Sequence, residues 1–359
     1  MSPILPPSFR LGALHPLLQW LILLALSAVI TAVLELVHLP ATLLLGPMFA
    51  GIVAGVQGAT IRLPRILFLS GQAIVGCLIA MSISPEIFPT LVSEWPIFAG
   101  AAVSTILASS FLGWSISRLK ILPGTTAVWG SAPGASSAMV FMAESFGADA
   151  RLVAFMQYLR VIMVSAAAAL IARLWVDTST VEPVAIDWFP AIEPLPLATT
   201  FLIAAGGAAL GRLLRLPSPF FLGAMIVGVV LHLGFSVPMQ LPHWLLAISY
   251  PLIGWSIGIN FTAAILRHAA RALPQVVGSI LALMAFCGGI AWFLTHSLGI
   301  DPLTAYLATS PGGMDSVAII AAASHSVDLS FIMALQMMRF LCVLLFGPWL
   351  ARLVARFVT

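Results

Sequence analysis

The sequence predicts an all-α polytopic membrane protein, built as two inverted repeats of five transmembrane helices plus one re-entrant hairpin each. Three observations carry this. Hydrophobic residues make up 61% of the 359 residues and charged ones only 8%, where a soluble domain carries about a quarter charged residues. The chain repeats itself at offsets of 177–179 residues. And its basic side chains collect on one side of a membrane only if the second copy enters upside down.

The elements follow in order. Residues 1–14 carry Arg10 and are read as a cytoplasmic N-terminus. The first repeat, 15–175, has long apolar runs near 16–38, 41–58, 64–84, 96–117 and 151–175. The first of them, from Leu17 to Val37, is long enough to span about 30 Å of hydrocarbon. It lacks the short apolar core and small-residue cleavage site of a leader peptide, so it is read as an uncleaved span. Residues 176–194 form an acidic linker on the outer side. The second repeat, 195–359, has its runs near 195–211, 218–236, 244–262, 274–296 and 329–351. Between the fourth and fifth runs of each half lies an interrupted apolar segment, 124–146 or 302–324.

The repeat rests on matched residues in matched order. Leu39-Pro40, Gly46, Met48 and Gly51 correspond to Leu216-Pro217, Gly223, Met225 and Gly228. Leu63-Pro64 and Gly76 correspond to Leu241-Pro242 and Gly254, and Pro133-Gly134 to Pro311-Gly312. Asp149, Gln157 and Arg160 correspond to Asp328, Gln336 and Arg339.

Topology turns on the interrupted segments. If each crosses the membrane, both halves have six spans and point the same way. If each dips in and returns, the halves have five spans and opposite directions. The second arrangement places Arg62, Arg65, Arg118, Lys120, Arg151, Arg212, Arg215, Arg267 and Arg271 on the cytoplasmic side with both termini, and the acidic linker outside. Basic residues stay inside, so the inverted arrangement is expected. It is the usual plan of secondary transporters, whose substrate site lies near the midplane between repeats.

Each interrupted segment, split at its Pro-Gly, has arms of about ten residues that reach roughly 15 Å, half the hydrocarbon depth. Irregular backbone at that depth must be buried in protein or line a wet cavity. The candidate ligand-binding residues at the tips are Ser131, Gly134, Ser136 and Ser137 in the first copy, and Ser310, Gly312, Gly313 and Ser316 in the second. The second arm of each hairpin points its unpaired N–H groups and positive dipole end to the centre, which favours an anion. Asp315, aligned with Ser137, is a candidate coupling-ion or proton site, or else an arginine partner.

Gln157-x-x-Arg160 and Gln336-x-x-Arg339 each place an amide and a guanidinium on one helix face. An arginine at the centre of a span costs roughly 2.5–3.5 kcal/mol to insert. Two readings stand: the arginines clamp an anionic substrate, with the glutamines holding its polar edge, or they are paired structurally, with Asp315, Glu144 or hairpin carbonyls. Asp149 and Asp328 read as helix N-caps. Cys77, Cys287 and Cys342 share no metal-ligand spacing and read as small buried hydrophobes. The seven histidines form no helical metal pair. No metal, cofactor or enzymatic activity is expected, and with a net charge of only +3 and no basic run, no nucleic acid partner.

At LGPMFAGIVAG (45–55), GSAPGASSAM (130–139), PGGMDSVAIIAA (311–322) and the two Gln-x-x-Arg turns, the sequence resembles the AbrB duplication family of bacterial inner-membrane proteins. The resemblance implies a polytopic inner-membrane protein with an internal duplication. Its labels, transcriptional regulator and ammonia monooxygenase, find no support in these residues: there is no ligand cluster for a redox metal and no soluble basic module for DNA. The expected function is secondary transport of a small anion, with a carboxylate as the natural chemistry. The alternative is a membrane-embedded ligand sensor that affects gene expression indirectly. Membrane lipid and a second copy of the chain, as a homodimer, are the expected partners.

Overall fold

The computed structural model describes residues 11–36, 41–83, 87–122, 125–133, 136–175, 188–216, 218–312 and 327–358. The N-terminal ten residues and most of the acidic linker lie outside them. Among the described residues every regular element is helical. The first half comprises α1 (Pro16–Leu36), α2 (Thr42–Val56), α3 (Arg65–Ser82), α4 (Ile87–Ser93), α5 (Trp95–Arg118), α6 (Thr126–Ser131), α7 (Ser136–Ser145) and α8 (Ala150–Trp175). The second comprises α9 (Pro194–Leu213), α10 (Pro219–Phe235), α11 (His243–Gly258), α12 (Ala263–Leu298), α13 (Pro302–Thr309) and α14 (Leu329–Val358).

Seven of these helices are long and apolar enough to cross a membrane: α1, α3, α5, α8, α9, α12 and α14. The other three expected spans are shorter, at 15 residues for α2, 17 for α10 and 16 for α11. Large apolar side chains point outward, Leu17, Leu21 and Val29 of α1 among them. That pattern is costly in water and natural in lipid.

The sequence places the fourth run of the second half at 274–296, but α12 begins eleven residues earlier and runs 36 residues, or about 54 Å. In the first half the same stretch is divided into α4 and α5 at Glu94. Pro96 sits in the first turn of α5, where its missing N–H has no partner to lose. The aligned Pro274 lies inside α12, where it removes one internal bond.

Packing does not follow the repeats. The first three helices of each half pack into one unit, α1–α3 with α9–α11, and the rest into another, α4–α8 with α12–α14. Each unit therefore takes half of each repeat, so the boundary at 175–195 is one of sequence and not of packing. The units meet where α8 touches α11 and where Phe141 of α7 packs edge-on against Phe68 and Phe221.

Within the first unit the contacts are reciprocal. A Cβ added at Gly254 would lie 2.7 Å from Leu44 O, and one at Gly55 2.5 Å from Ile259 O. Contacts climb α2 and α11 together, so these helices run in the same direction. The aligned pair does likewise: the Ser218 hydroxyl donates to Gln72 Oε1 at 3.4 Å, Gly76 abuts Phe221 O, and Gly228 abuts Ala80. So α3 and α10 also run together. The second helix of each half packs on the third helix of the other.

The tightest backbone approach joins α9 and α10, where a Cβ on Gly223 would stand 2.0 Å from Gly207 O. A Gly223→Val substitution is expected to lower stability by about 3 kcal/mol, since backbone cannot give way as a side-chain tip does. Gly234→Ala in the same helix, with nothing within 4 Å, should leave the melting temperature of detergent-purified protein unchanged or slightly raised.

Candidate functional site

Both interrupted segments turn back on themselves. The hydroxyl oxygen of Thr126, at the start of α6, accepts a hydrogen bond at 3.2 Å from the backbone N–H of Asp149, just beyond α7. A straight helix over that distance in sequence would hold the two apart by about 35 Å. In the second half Thr304 Oγ1 accepts from Asp328 N, again at 3.2 Å. The two ends of each segment are thus clasped by a matched threonine. Neither threonine was singled out from the sequence, although the Thr-Ala pairs at 126 and 304 share the repeat offset. The first hairpin consists of α6, a turn at Pro133 and α7. Of the second, α13 and the chain as far as Gly312 are described.

Asp149 and Asp328 cap the helices that follow. Asp149 Oδ1 accepts from Arg151 N at 3.0 Å, and Asp328 Oδ1 from Phe331 N at 2.9 Å. Burial raises the Asp149 carboxyl, but hydrogen bonds from the Arg151 side chain and backbone outweigh it and hold the group below the usual carboxylate range. Arg151 also donates to Asn260 O at 3.0 Å, which ties α8 to the end of α11 across the two units.

The Gln-x-x-Arg turns of α8 and α14 face the broken ends of the hairpins' first arms. Gln157 Nε2 donates to Trp129 O at 2.8 Å and Ala132 O at 2.9 Å. Arg160 donates through Nη1 to Ala132 O at 2.8 Å and Ser131 O at 3.3 Å, and through Nη2 to Gln157 Oε1 at 2.6 Å. The second half repeats all but one of these bonds: Gln336 Nε2 donates to Leu307 O and Ser310 O, and Arg339 donates to Thr309 O and to Gln336 Oε1, while the counterpart of the bond from Arg160 to Ala132 O is not among them. A helix that stops in the protein interior leaves its last carbonyls without partners, and each Gln–Arg pair supplies them. The reading in which the arginines pair with hairpin carbonyls therefore describes what the side chains do here. Glu144 is not their partner. It is exposed near the end of α7, and its charged neighbour is Arg65.

Capping does not use up the charge. A helix end carries roughly half a negative charge, and α6 and α13 have only six and eight residues. Both guanidinium groups are almost wholly buried, at 2% and 3% exposure. They lie close enough to act on each other electrostatically. Among the described residues the one ion pair is Arg151–Asp149, so no carboxylate balances either arginine there. The Cys287 thiol of α12, on the side that faces α5 and its Thr105, lies within electrostatic range of both. Cys287 and Thr105 were not among the residues picked from the sequence. They reach this place because α5 and α12 pack together here, which no spacing along the chain records.

Of the other candidates, Ser131, Ser310 and Gly312 are buried beside the arginines' carbonyl partners, and Gly312 abuts Val164, one turn beyond Arg160 on α8. Ser136 opens α7 and is half-buried. Ser137 follows it in the same turn of helix. Gly134, Gly313, Asp315 and Ser316 lie outside the described residues. A cleft of about 550 Å³ separates the two units beside the clasped end of the first hairpin. Thr126, Glu144, Asp149 and Arg151 line it from one unit, Phe68 and Asn260 from the other.

Gln336→Leu is expected to leave Ser310 O unpaired and Arg339 without its side-chain acceptor, while Leu307 O keeps the Ser310 hydroxyl. At roughly 1–3 kcal/mol for each buried orphan, it should lower stability by about 3 kcal/mol in a denaturation measured in detergent. Gln157→Leu should match it in size: Trp129 O is orphaned, while Ala132 O keeps its bond from Arg160.

The sequence profile of a family described as "Transition state regulatory protein AbrB" matches residues 43–355. A relative from Escherichia coli (strain K12), named "Putative regulator AbrB", is 48% identical over 343 residues, covering 95% of this chain and 98% of the relative. A second, "Uncharacterized protein YhjN" from Bacillus subtilis (strain 168), is 24% identical over 298 residues, covering 79% of this chain and 77% of that protein.

Proposed function

The chain belongs to the AbrB family, and from that premise we propose that it is a secondary transporter of a small anionic metabolite, a carboxylate by the geometry of its donors. Its site is the centre where Arg160 and Arg339 converge between the two hairpins. The observation that carries this is the pair of buried guanidinium groups with no carboxylate partner among the described residues. Among the described residues two full positive charges stand against two short helix ends, and a low-dielectric centre of that balance attracts an anion.

The inverted plan supports the reading. Helices joined by short connections run antiparallel, and α2 runs with α11 while α3 runs with α10. Second helices parallel to third helices are what halves of opposite direction would give, and this favours the inverted plan. Hairpins that return to their own side leave each half with five crossings, an odd number, which gives the same result. With that plan, the distribution of basic residues would put both termini and the cleft beside Asp149 on the cytoplasmic side of a bacterial inner membrane. The division into two units with one hairpin from each half in the moving partner is the arrangement that alternating access needs.

The names of the relatives favour a second reading, a membrane-embedded sensor whose ligand acts on gene expression indirectly. The two part in one experiment. A thermal-shift screen of small carboxylates and other anions on detergent-purified protein should return stabilising hits under both. Transport requires that a hit also exchange across the bilayer of reconstituted liposomes. A hit that stabilises the protein and never exchanges would make it a sensor.

A further inference from the structure

The two halves also differ at the hydroxyl that neighbours each arginine. In the second, the hydroxyl of Thr309, aligned with Ser131, donates to Ala305 O at 2.9 Å and lies 3.1 Å from Cys287 O. In the first, Ser131 Oγ has no hydrogen-bond partner among the described residues, and neither has Arg160 Nε. Both residues are more than nine-tenths buried. Both line a cavity of about 10 Å³ between α5, α6, α8 and α12. That is roughly the room needed by a single water-sized occupant.

The chemistry of the lining selects the occupant. Arg160 Nε–H is a donor only and carries full charge, and the serine hydroxyl is free to rotate and donate. Ser279 also lines the cavity, but its hydroxyl donates to Val276 O. The remaining side-chain walls are Leu112, Met156, Ile280 and Leu283. A water here would accept from both donors and could pass one O–H to the Ser279 oxygen, leaving the other toward apolar side chains. An anionic acceptor has none to place, and it balances the guanidinium.

Resting on the anion-transport reading above, we propose that Ser131 and Arg160 form a pocket for a single anionic atom, and that Thr309, whose hydroxyl is already bonded, offers no counterpart among the described residues of the second half. The atom is the leading oxygen of the transported anion, or a halide in its place. The symmetric pair of arginines then has divided roles: Arg160 meets the ligand, and Arg339 holds its hairpin.

Melting temperatures in sodium gluconate, sodium formate and sodium chloride at equal ionic strength test this on the full-length protein in detergent. Gluconate is too bulky for the pocket and serves as the reference. Formate is expected to raise the melting temperature by about 3 °C; a rise with chloride as well assigns a halide, and a rise with formate alone assigns an oxygen. Ser131→Thr copies the second half and adds a methyl group to a one-atom cavity. It is expected to fold with the wild-type melting temperature in gluconate and to lose the response to formate. Thr309→Ser should keep the response. Equal melting temperatures of the wild type in all three salts would overturn the proposal, leaving only a buried water in the pocket. So would an undiminished response in Ser131→Thr, which would place the anion elsewhere. The proposal and the transport reading fail separately. Formate stabilisation without exchange in liposomes removes transport and keeps the pocket, whereas exchange that Ser131→Thr leaves intact removes the pocket and keeps transport.

Discussion

Alanine in place of Arg339 is expected to lower stability by about 3 kcal/mol and to bring any anion flux to background. The structural loss follows from the bonds. Thr309 O and Gln336 Oε1 each accept from this guanidinium, and each buried acceptor left alone costs roughly 1–3 kcal/mol. Removing one of two mutually repelling cations gives part of this back. Arg160→Ala should behave alike, since Ser131 O and Gln157 Oε1 lose their donor. Lysine separates the two effects. It keeps the charge but offers a point donor where the arginine offers a planar fork, so Arg→Lys should retain more of the stability than Arg→Ala. Denaturation of the four single variants in detergent checks the order: wild type highest, lysine next, alanine lowest. Alanine variants as stable as the wild type would mean that the carbonyls at the broken helix ends need no donor.

The second large effect is all-or-none. With Cys77, Cys287 and Cys342 replaced, single cysteines at Arg65 and Arg215 should both be shielded from an impermeant thiol reagent outside intact cells, and one at Asp187 should react. Arg65 opens the third helix of the first half and Arg215 follows the first helix of the second. They share a side only if the halves are opposed. Labelling at Arg215 from outside would break the five-plus-five arrangement and, with it, the placement of the cleft on the cytoplasmic side.

Much of this architecture can be read from residues that recur at a fixed offset. Pro133-Gly134 and Pro311-Gly312 mark the hairpins, and the Gln-x-x-Arg pairs mark the helices behind them, because residue type carries those roles: a proline breaks a helix, and an arginine in an apolar span needs a partner. What the arginines bond is not legible in the same way. Trp129 O, Ala132 O and Ser131 O are backbone groups, present at every position, and only the tertiary arrangement selects them. The mixed packing units are hidden for a related reason. The repeat reports similarity between α2 and α10, while the contacts run from α2 to α11 and from α3 to α10. The early start of α12 escaped because Arg267, His268 and Arg271 end the apolar run there. Their side chains are exposed while Ala269 and Ala272 are buried, so the helix continues as an amphipathic arm. Thr105 and Cys287 were unremarkable as residues and gain their place from the approach of α5 to α12.

These features meet in the proposal that two hairpins, one from each half, bring the arginines of the helices behind them together as a site for an anion that the protein carries across the membrane. Counter-flow of a radiolabelled anion, chosen from the thermal-shift hits, into liposomes preloaded with the same anion measures this most directly. Accumulation is expected with the wild type, and at most about a tenth of its rate with Arg160→Lys, at matched reconstitution. Wild-type rates in both Arg160→Lys and Arg339→Lys would contradict it.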